Sequence, residues 1–341
     1  MASKKVKRRK NLTKIILIEA CIAILLLIAV MIYNNINKTL DKIPRENSED
    51  KYIEQNEGIG IDGFRNIVIF GVDTRDNSLK KGNTDTIMVV SINKKNKNVK
   101  LVSIYRDTFS HIRNIGYSKI NAAYAKGGYS TAINTINLNY DLDIKEYVTV
   151  NFKALVDIID LLGGITLDIE KEELKYLNGY VRELNKINGT DVAGLETAGT
   201  QTVNGTQATA YARIRYTTGG DFKRTERQRI VLSQIFDKVK SSDLSTINNL
   251  IDKVFPQIYT NLSNSEILSL AKDIISYDIV DQTGFPFEKD AHTYKEVSYV
   301  FPIDLEDNVV RLHQYLFEKE GYVPSKTVQE YSAYIENVRV Q

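Results

Sequence analysis

The chain has 341 residues, of which 43% are hydrophobic and 26% are charged, a composition typical of a globular protein with an extensive core. Its net charge of +2 conceals an asymmetry, because residues 1–14 carry seven lysines and arginines and no acid, whereas the other 327 residues carry 38 basic against 43 acidic residues. A nucleic-acid-binding protein concentrates positive charge on its folded part, so this slightly acidic body argues against a nucleic-acid partner.

Residues 15–33 (IILIEACIAILLLIAVMIY) form an apolar run whose one charge is Glu19. At about 1.5 Å per residue a helix of this run is about 28 Å long, close to the hydrocarbon thickness of a bilayer. We predict a transmembrane helix rather than a cleaved signal peptide, because the run is long and no small-residue cleavage site follows it. The basic residues 1–14 then form a cytoplasmic tail, and the rest of the chain lies outside the cell, beginning with a polar stalk over residues 34–63.

Cysteine and histidine are too scarce for several kinds of site. The single cysteine, Cys21, lies within the predicted span, and the whole chain has three histidines. The outer domain therefore has no thiol for a disulfide, a zinc site or a nucleophile, and a Ser-His-Asp triad or a histidine-rich metal site is disfavoured. Its chemistry has to use carboxylates, arginines, lysines and hydroxyls.

The outer domain alternates between predicted strands and helices. Short β-branched runs, typical of strands buried on both faces, occupy residues 66–72, 86–92, 99–105, 147–152 and 165–169. The polar segment 93–98 predicts an antiparallel hairpin between the second and third runs. Helical periodicity covers residues 152–164, 223–240, 263–276, 304–317 and 324–338. The alternation predicts one layered α/β domain with a central sheet over residues 64–341.

Two aspartates lie at predicted strand ends, where α/β sheets place ligands. Asp73 follows the first strand and Asp85 opens the second. Two carboxylates without histidine or thiol partners suit a hard divalent cation, Mg²⁺ or Mn²⁺; turn formation is the alternative role. Arg106 follows the third strand, and the hairpin predicts that it lies close to both acids.

Five arginines fall within residues 212–229 (ARIRYTTGGDFKRTERQR). Four of them fall into two sets, the members of each sharing one face, and a glycine hinge at residues 219–220 joins the sets. The sets are Arg213 with Arg215 on an extended segment, and Arg224 with Arg227 and Gln228 on a helix. Together with the two aspartates, Arg106 and Lys119, they would form a diphosphate site, because arginine binds phosphate in a bidentate manner. A solvated charge run is the alternative.

Several motifs in order resemble the LytR-CpsA-Psr family of bacterial cell-wall enzymes. They are NIVIFGVDTRD, NTDTIMVVSINKKNKNVKLVSIYRDT, KINAAYAKGG, VNFKALVDIIDLLGGITLDI, VNGTQATAYARIRY and GDFKRTERQR. The resemblance covers residues 65 to about 240 closely and the C-terminal hundred residues more loosely. Residues 171–198 depart from the short acidic loop of the family, so we expect them to determine acceptor or donor specificity.

The resemblance implies a three-layer α-β-α domain with a central mixed sheet and an apolar lipid tunnel, preceded by one transmembrane helix. It implies transfer of an anionic or capsular glycopolymer, such as teichoic acid or capsular polysaccharide, from an undecaprenyl diphosphate carrier to peptidoglycan, with formation of a phosphodiester. The implied partners are this lipid-linked polymer, the peptidoglycan acceptor and the cell membrane.

The matching motifs also imply roles for individual residues. Asp73 and Asp85 would hold Mg²⁺, and the catalytic arginines would be Arg106, Arg213, Arg215 and Arg224. Gln228 would assist them, and Arg75, Lys119, Asn121 and Arg227 would bind substrate. The general base stays unassigned.

Two other functions use the same residues. In a polyprenyl diphosphate phosphatase, water would replace the sugar hydroxyl. A non-enzymatic membrane-anchored receptor or transcription attenuator would bind polyprenyl diphosphates as a signal. Asp73 and Asp85 favour transfer over binding, because a pure receptor needs the arginines but no metal. The cytoplasmic residues 1–14 contain no helix-turn-helix, which argues against direct regulation of DNA.

Overall fold

The computed structural model describes residues 37–45, 52–72, 79–80 and 82–341 and divides the chain into two compact units, residues 1–42 and 43–341. Of the first unit it describes residues 37–42, which begin with a helical turn at residues 37–40. No helix among the described residues is both long and apolar enough to cross a bilayer. The predicted span at residues 15–33 lies outside them and stays a prediction.

Twelve strands lie in the described part of the second unit. They are β1 (Phe64–Val72), β2 (Thr84–Asn93), β3 (Asn98–Ile104), β4 (Phe109–Ile112), β5 (Gly116–Lys119), β6 (Glu146–Asn151), β7 (Ile165–Ile169), β8 (Gly199–Val203), β9 (Tyr259–Thr260), β10 (Asp278–Phe285), β11 (Lys289–Tyr294) and β12 (Val297–Pro302). Six of them form the central sheet in the order β10-β3-β2-β1-β6-β9, and the others pair as β4-β5, β7-β8 and β11-β12. The central sheet is mixed, because β1 pairs with β6 and β3 with β10 in parallel while its other pairs are antiparallel.

Nine α-helices accompany the strands in the described part of the second unit. They are α1 (Ala122–Tyr140), α2 (Phe152–Leu161), α3 (Glu173–Asn188), α4 (Gly205–Arg213), α5 (Gly220–Lys240), α6 (Leu244–Val254), α7 (Asn264–Asp273), α8 (Leu305–Phe317) and α9 (Lys326–Arg339). Hydrophobic periodicity predicted α2, α5, α7, α8 and α9 correctly. The C-terminal strands β10, β11 and β12 were not predicted, because their exposed positions interrupt the apolar pattern.

Both faces of the central sheet are covered by helices. Val68 and Phe70 of β1 point into a core shared with α1, α8 and α9. Their neighbours Ile67 and Ile69 point the other way, into a core shared with α5 and α7. This alternation is the period of two expected of a strand buried on both sides. The predicted layered α/β fold with a central mixed sheet is therefore confirmed.

Residues 171–198 form part of a further core beside the sheet. Leu177 and Val181 of α3 pack with Leu167 of β7, Ala210 of α4 and Val231 of α5. Its helix α3 is therefore a packed element that lies against both helices that carry the arginines, whereas residues 189–198 form a mostly exposed loop.

Residues 52–63, which the sequence places in the stalk, pack on the domain. Ile53, Ile59 and Ile61 contact the core on the α1 side of the sheet. The side-chain amide of Asn56 donates a 2.5 Å hydrogen bond to Oδ1 of Asp141. The folded part therefore begins before residue 64.

Candidate active site

The β2–β3 hairpin brings Asp85 and Arg106 together at one end of the sheet. Its antiparallel register pairs Met88 with Ser103, so the positions of Asp85 and Arg106 lie opposite each other. Nη1 of Arg106 donates a hydrogen bond to Oδ1 of Asp85. The structure thus brings Arg106 to one of the two predicted acids. The other acid, Asp73, and the predicted substrate-binding residue Arg75 lie outside the described residues.

Three carboxylates surround Arg106. Besides the bond to Asp85, Nη2 lies 3.7 Å from Oδ1 of Asp221 and Nε lies 3.8 Å from Oδ2 of Asp107. Burial alone would lower the pKa of Arg106, but the charges of Asp221, Asp85 and Asp107 raise it above its ordinary value. Arg106 is therefore a positive charge in contact with acids from three elements: Asp85 of β2, Asp107 of the loop after β3, and Asp221 of α5.

Two glycines set the start of α5. Gly219 and Gly220 have φ angles of 90° and 54°, in the left-handed region that side-chain-bearing residues avoid. The break that they make places Asp221 in the first turn of α5, beside Arg106. Oδ1 of Asp221 also lies 2.9 Å from Nη2 of Arg224. The beginning of α5 therefore delivers an acid and an arginine to the same point.

Arg224 is buried with unused hydrogen-bonding capacity. Its side chain is 4% exposed, and within the described part of the chain its Nε is buried without a hydrogen-bond partner, whereas Nη2 has the ion pair with Asp221 but no hydrogen bond. Burial first, and then repulsion from Arg106 and Arg215, lower its pKa despite the attraction of Asp221. An unsatisfied buried donor costs about 1–3 kcal/mol. An anion bound here would therefore relieve a cost that the free protein carries.

Arg213 and Arg215 reach the site from the end of α4. The predicted extended segment is partly wrong, because Arg213 is the last residue of α4 and the backbone becomes extended at Ile214. Nη2 of Arg213 lies 2.9 Å from Glu183, and its guanidinium lies 5.0 Å from the ring of Tyr180. Burial lowers the pKa of Arg215, but its hydrogen bond with the hydroxyl of Tyr180 opposes this, and the pKa lies above its ordinary value. Tyr180 of α3 therefore contacts both arginines.

Lys119 and Asn121 lie beside Arg106. Nζ of Lys119 is 3.0 Å from Oδ1 of Asp107. The backbone N–H of Asn121 donates to the carbonyl oxygen of Arg106 at 3.2 Å. Both residues are therefore adjacent to Arg106, Lys119 through a shared acid and Asn121 through the backbone.

Arg227 is directed elsewhere, which corrects the expectation that it joins Arg224 in binding substrate. Its side chain is fully buried and pairs with Glu173 of α3 at 2.6 Å. Its other nitrogens donate to the carbonyl oxygen of Ile214 at 3.1 Å and to Oγ1 of Thr217 at 2.7 Å. Helical spacing correctly predicted that Arg224 and Arg227 lie near each other. The guanidinium of Arg227, however, pairs with Glu173, a buried acid on α3. Arg227 therefore fixes α3 and the loop after α4 to α5.

A pocket opens next to the charged residues, between the sheet and α5. Its cavity volume is about 100 Å³, below the roughly 300–1,000 Å³ of pockets that enclose a whole ligand, so it holds only part of an apolar chain. Most of its wall is apolar and includes Ile69, Met88, Leu155, Val231, Leu232 and Ile235, but Asp85 and Gln228 also line it. Oε1 of Gln228 is buried without a hydrogen-bond partner among the described residues. The pocket and the arginines therefore share a boundary, an arrangement that suits an amphiphile with an apolar chain and an anionic head.

The carboxylates near Arg106 fit a hard cation in their chemistry. Carboxylate oxygen is the ligand that Mg²⁺ prefers, and Asp85 and Asp221 both contact Arg106. Among the described residues, however, no group of three or more histidines, cysteines or acids is placed to hold a metal ion. Asp73, the predicted partner of Asp85, lies outside those residues. The metal assignment therefore stays a prediction.

Sequence reasoning missed three residues that organise the site. Asp221 lies between Arg106 and Arg224, and the Gly-Gly-Asp break at residues 219–221 is the signal that could have found it. Tyr180 and Glu173 come from residues 171–198, and nothing in their local sequence shows that they contact arginines more than thirty residues away. The departure of this segment from the family pattern was the one available signal.

The chain matches a known family and several curated proteins. The model of the LytR_cpsA_psr family matches residues 27–311. The chain is similar to the polyisoprenyl-teichoic acid–peptidoglycan teichoic acid transferase TagU of Bacillus mycoides, with 31% identity over 247 residues, which are 71% of this chain and 75% of the relative.

Solved structures share the fold. The crystal structure of Bacillus subtilis TagV has a TM-score of 0.60 and 27% identity, covering 76% of this chain and 98% of that one. The LytR-CPS2A-psr family protein YwtF (TagT) with bound octaprenyl pyrophosphate lipid has a TM-score of 0.58 and 23% identity, covering 80% of this chain and 99% of that one. These similarities support the α/β fold with its central mixed sheet.

Proposed function

This chain belongs to the LytR_cpsA_psr family, and we propose that it is a phosphotransferase that moves a glycopolymer from a polyprenyl diphosphate carrier to peptidoglycan. The carrier is undecaprenyl diphosphate, and the polymer is an anionic one such as teichoic acid, or a capsular polysaccharide. The acceptor hydroxyl attacks the phosphorus attached to the polymer. A phosphodiester forms, the bond to the lipid phosphate breaks, and the hydroxyl proton passes to a base or to solvent.

One observation carries the proposal: buried arginine nitrogens without hydrogen bonds adjoin an apolar pocket. Within the described residues these are Nε of Arg224, Nη1 of Arg213 and Nε of Arg106, and Nη2 of Arg224 has an ion pair with Asp221 but no hydrogen bond. The pocket begins at Asp85 and Gln228. A diphosphate supplies the missing acceptors, and its polyprenyl chain suits the apolar wall. The activity for which TagU is named, transfer of polyisoprenyl-linked teichoic acid to peptidoglycan, agrees with such a ligand.

The arginines supply the electrostatic part of the reaction. Negative charge develops on the transferring phosphoryl group and on the departing lipid phosphate. Arg106, Arg213, Arg215 and Arg224 bind both groups, and fixed donors in a partly dry site cost no reorganisation as that charge develops. Tyr180 and Glu183 hold Arg213 in place, and Asp221 does the same for Arg224.

A divalent cation, Mg²⁺ or Mn²⁺, belongs to the proposal. Asp73 and Asp85 would hold it, and when bound it would neutralise phosphate charge. The side chain of Asp85 is a quarter exposed and lines the pocket, so it is open to the anionic head of a bound lipid.

Membrane anchoring completes the proposal. The apolar residues 15–33 follow seven basic residues, a pattern that predicts a single span with the N-terminus in the cytoplasm. The domain then lies outside the cell, on the side where peptidoglycan is assembled. Protease added to intact protoplasts should remove the domain, and protection of residues 65–341 would contradict this orientation.

The test is a reaction of the full-length protein with a polyprenyl diphosphate-linked sugar polymer and peptidoglycan oligomers in Mg²⁺, with products identified by mass. The expected products are the phosphodiester conjugate and the polyprenyl monophosphate, and both should vanish with chelator or with Asp85→Ala. Arg311→Ala is the matched control, because Arg311 is a partly exposed arginine on α8 that pairs with Glu288. Release of polymer phosphate without conjugate would identify a phosphatase, and binding without turnover would identify a receptor.

A further inference from the structure

Five tyrosines form a continuous patch at the β4–β5 and β11–β12 hairpins. We call it the tyrosine surface: Tyr117 on β5, Tyr294 on β11, Tyr299 on β12, and Tyr331 and Tyr334 on α9. Tyr117 stacks on Tyr334 with ring centroids 3.9 Å apart. Buried Phe109 fixes the inner side, with centroids 5.4 Å from Tyr117, 6.4 Å from Tyr294 and 5.0 Å from Tyr299. Tyr334 is 47% exposed and the others are half-buried.

The tyrosine surface adjoins the candidate active site. Nζ of Lys119 lies 3.0 Å from Asp107 and 5.9 Å from the ring centroid of Tyr299. Asp107 in turn lies 3.8 Å from Arg106. The backbone makes the same connection, because Val300 donates its N–H to the carbonyl oxygen of Asp107 at 2.9 Å. Contacting groups therefore lead from Arg106 through Lys119 to the tyrosines.

The chemistry of the surface matches a carbohydrate. A tyrosine offers an apolar ring face together with a hydroxyl at the rim. A pyranose offers the complementary pair, an apolar C–H face and hydroxyls at its edge. The arginines that border the surface are paired, Arg113 with Glu54 and Arg339 with Glu336. Lys295 also borders the surface, with Nζ 5.0 Å from the ring centroid of Tyr294. Because both arginines are paired and this lysine lies against a ring, an uncharged sugar strand fits the surface better than an anionic membrane.

The position of the surface distinguishes the acceptor from the donor. In phosphoryl transfer the attacking and leaving oxygens lie roughly in line, on opposite sides of the phosphorus. The apolar pocket lies on the α5 face of the central sheet, where Ile69, Met88 and Leu232 line it. The tyrosine surface belongs to α9 and to hairpins outside that sheet and packs against the core on its α1 face. An acceptor held by the tyrosines would therefore approach Arg106 from a different side than a lipid held in the pocket.

We propose that the tyrosine surface binds the glycan strand of the acceptor, with Lys119 guiding the reacting sugar toward Arg106. This inference rests on the proposed transferase function and adds the route of the acceptor to it. The rings act by binding and take no part in bond making. Their loss should therefore weaken acceptor binding and leave the chemical step intact.

The experiment measures acceptor and donor kinetics for the full-length protein carrying Tyr334→Ala or Tyr299→Ala/Tyr334→Ala, with peptide-free peptidoglycan glycan oligomers as acceptor. We expect the acceptor KM to rise about tenfold in the double variant, with kcat and the donor KM unchanged. Tyr334→Phe, which keeps the ring, should stay within about twofold of the parent. Tyr52→Ala is the matched control, because Tyr52 is 81% exposed and lies outside the tyrosine surface.

An unchanged acceptor KM in both alanine variants would overturn the inference and leave the proposed function standing. A rise in the donor KM alone would assign the surface to the donor polymer, which also overturns the inference. If the parent protein transfers nothing, the proposed function fails, and direct titration of the glycan oligomer decides separately. Weaker binding in the alanine variants would then still support a glycan surface, and equal binding would refute it.

Discussion

Arg224 and Arg227 lie one turn apart on α5, yet the structure uses them in opposite ways. Both side chains are buried, with 4% and 0% exposure. Arg227 is saturated by Glu173, a backbone carbonyl and a threonine hydroxyl. Arg224 has an ion pair with Asp221, but its Nε and Nη2 make no hydrogen bond among the described residues, and repulsion from Arg106 and Arg215 adds to burial in lowering its pKa. Burial alone therefore does not mark a ligand residue; Arg224 combines donors without hydrogen bonds with a position beside the other arginines of the site.

The largest effect that the comparison predicts is on stability, in Arg227→Ala. Removal of this guanidinium leaves the buried carboxylate of Glu173, which is 1% exposed, without its counter-charge. Breaking a buried pair in this way costs about 3–5 kcal/mol. Denaturant unfolding of the full-length protein should show this loss.

Arg227→Met/Glu173→Leu is the control, because it removes both charges and should recover much of the stability. If Arg227→Ala instead unfolds like the parent and loses affinity for a polyprenyl diphosphate, Arg227 is a ligand residue and the comparison fails.

The second effect is on binding, in Arg224→Ala. A charge-assisted hydrogen bond contributes about 1.5–3 kcal/mol, so affinity for a short-chain polyprenyl diphosphate should fall about tenfold to a hundredfold. The free energy of unfolding should change by less than about 1 kcal/mol, because the variant removes a charge that burial and two arginines already disfavour. Titration and unfolding of the same preparation check both values. A large loss of stability with unchanged affinity would mean that Arg224, like Arg227, stabilises the fold and does not bind the ligand.

Local pattern was enough to predict much of the fold and part of the site. The β-branched runs predicted the strands that carry Asp85 and Arg106, and the polar turn at residues 93–98 predicted the hairpin that joins those side chains. Spacing on a helix predicted that Arg224, Arg227 and Gln228 lie near one another. Each of these inferences depends on residues close in sequence, where the backbone period fixes direction.

Which of Arg224 and Arg227 binds a ligand and which stabilises the fold could not be predicted in this way. It depends on Glu173, which lies 54 residues from Arg227 and reaches it through the packing of α3. No period in the sequence reports which buried acid meets which arginine. The same limit applies to Tyr180 of α3, whose ring contacts Arg213 at the end of α4.

A smaller effect separates charge from geometry, in Arg215→Lys. Arg215 is exposed and interacts with the hydroxyl of Tyr180. Lysine keeps the positive charge but loses the planar fork that binds two phosphate oxygens. We expect polyprenyl diphosphate affinity to fall about fivefold, and isothermal titration should detect it. Equal affinity would mean that the cluster attracts the ligand only by its net charge.

The smallest effect is expected in Arg229→Ala, and it tests whether unpaired donors are sufficient. Arg229 lies on the same helix and is 7% exposed, and its Nε and Nη1 are buried without hydrogen-bond partners among the described residues. It differs from Arg224 in its neighbours, because burial lowers its pKa while Tyr105, Glu226 and Tyr315 oppose that shift, and the site arginines do not contribute. Five residues beyond Arg224, it is turned about 140° around the helix. If binding requires donors that converge on Arg106, affinity should change by about twofold or less. A loss as large as that of Arg224→Ala would mean that any buried, unpaired arginine on α5 contributes, and the site would be a diffuse basic region instead of a defined diphosphate clamp.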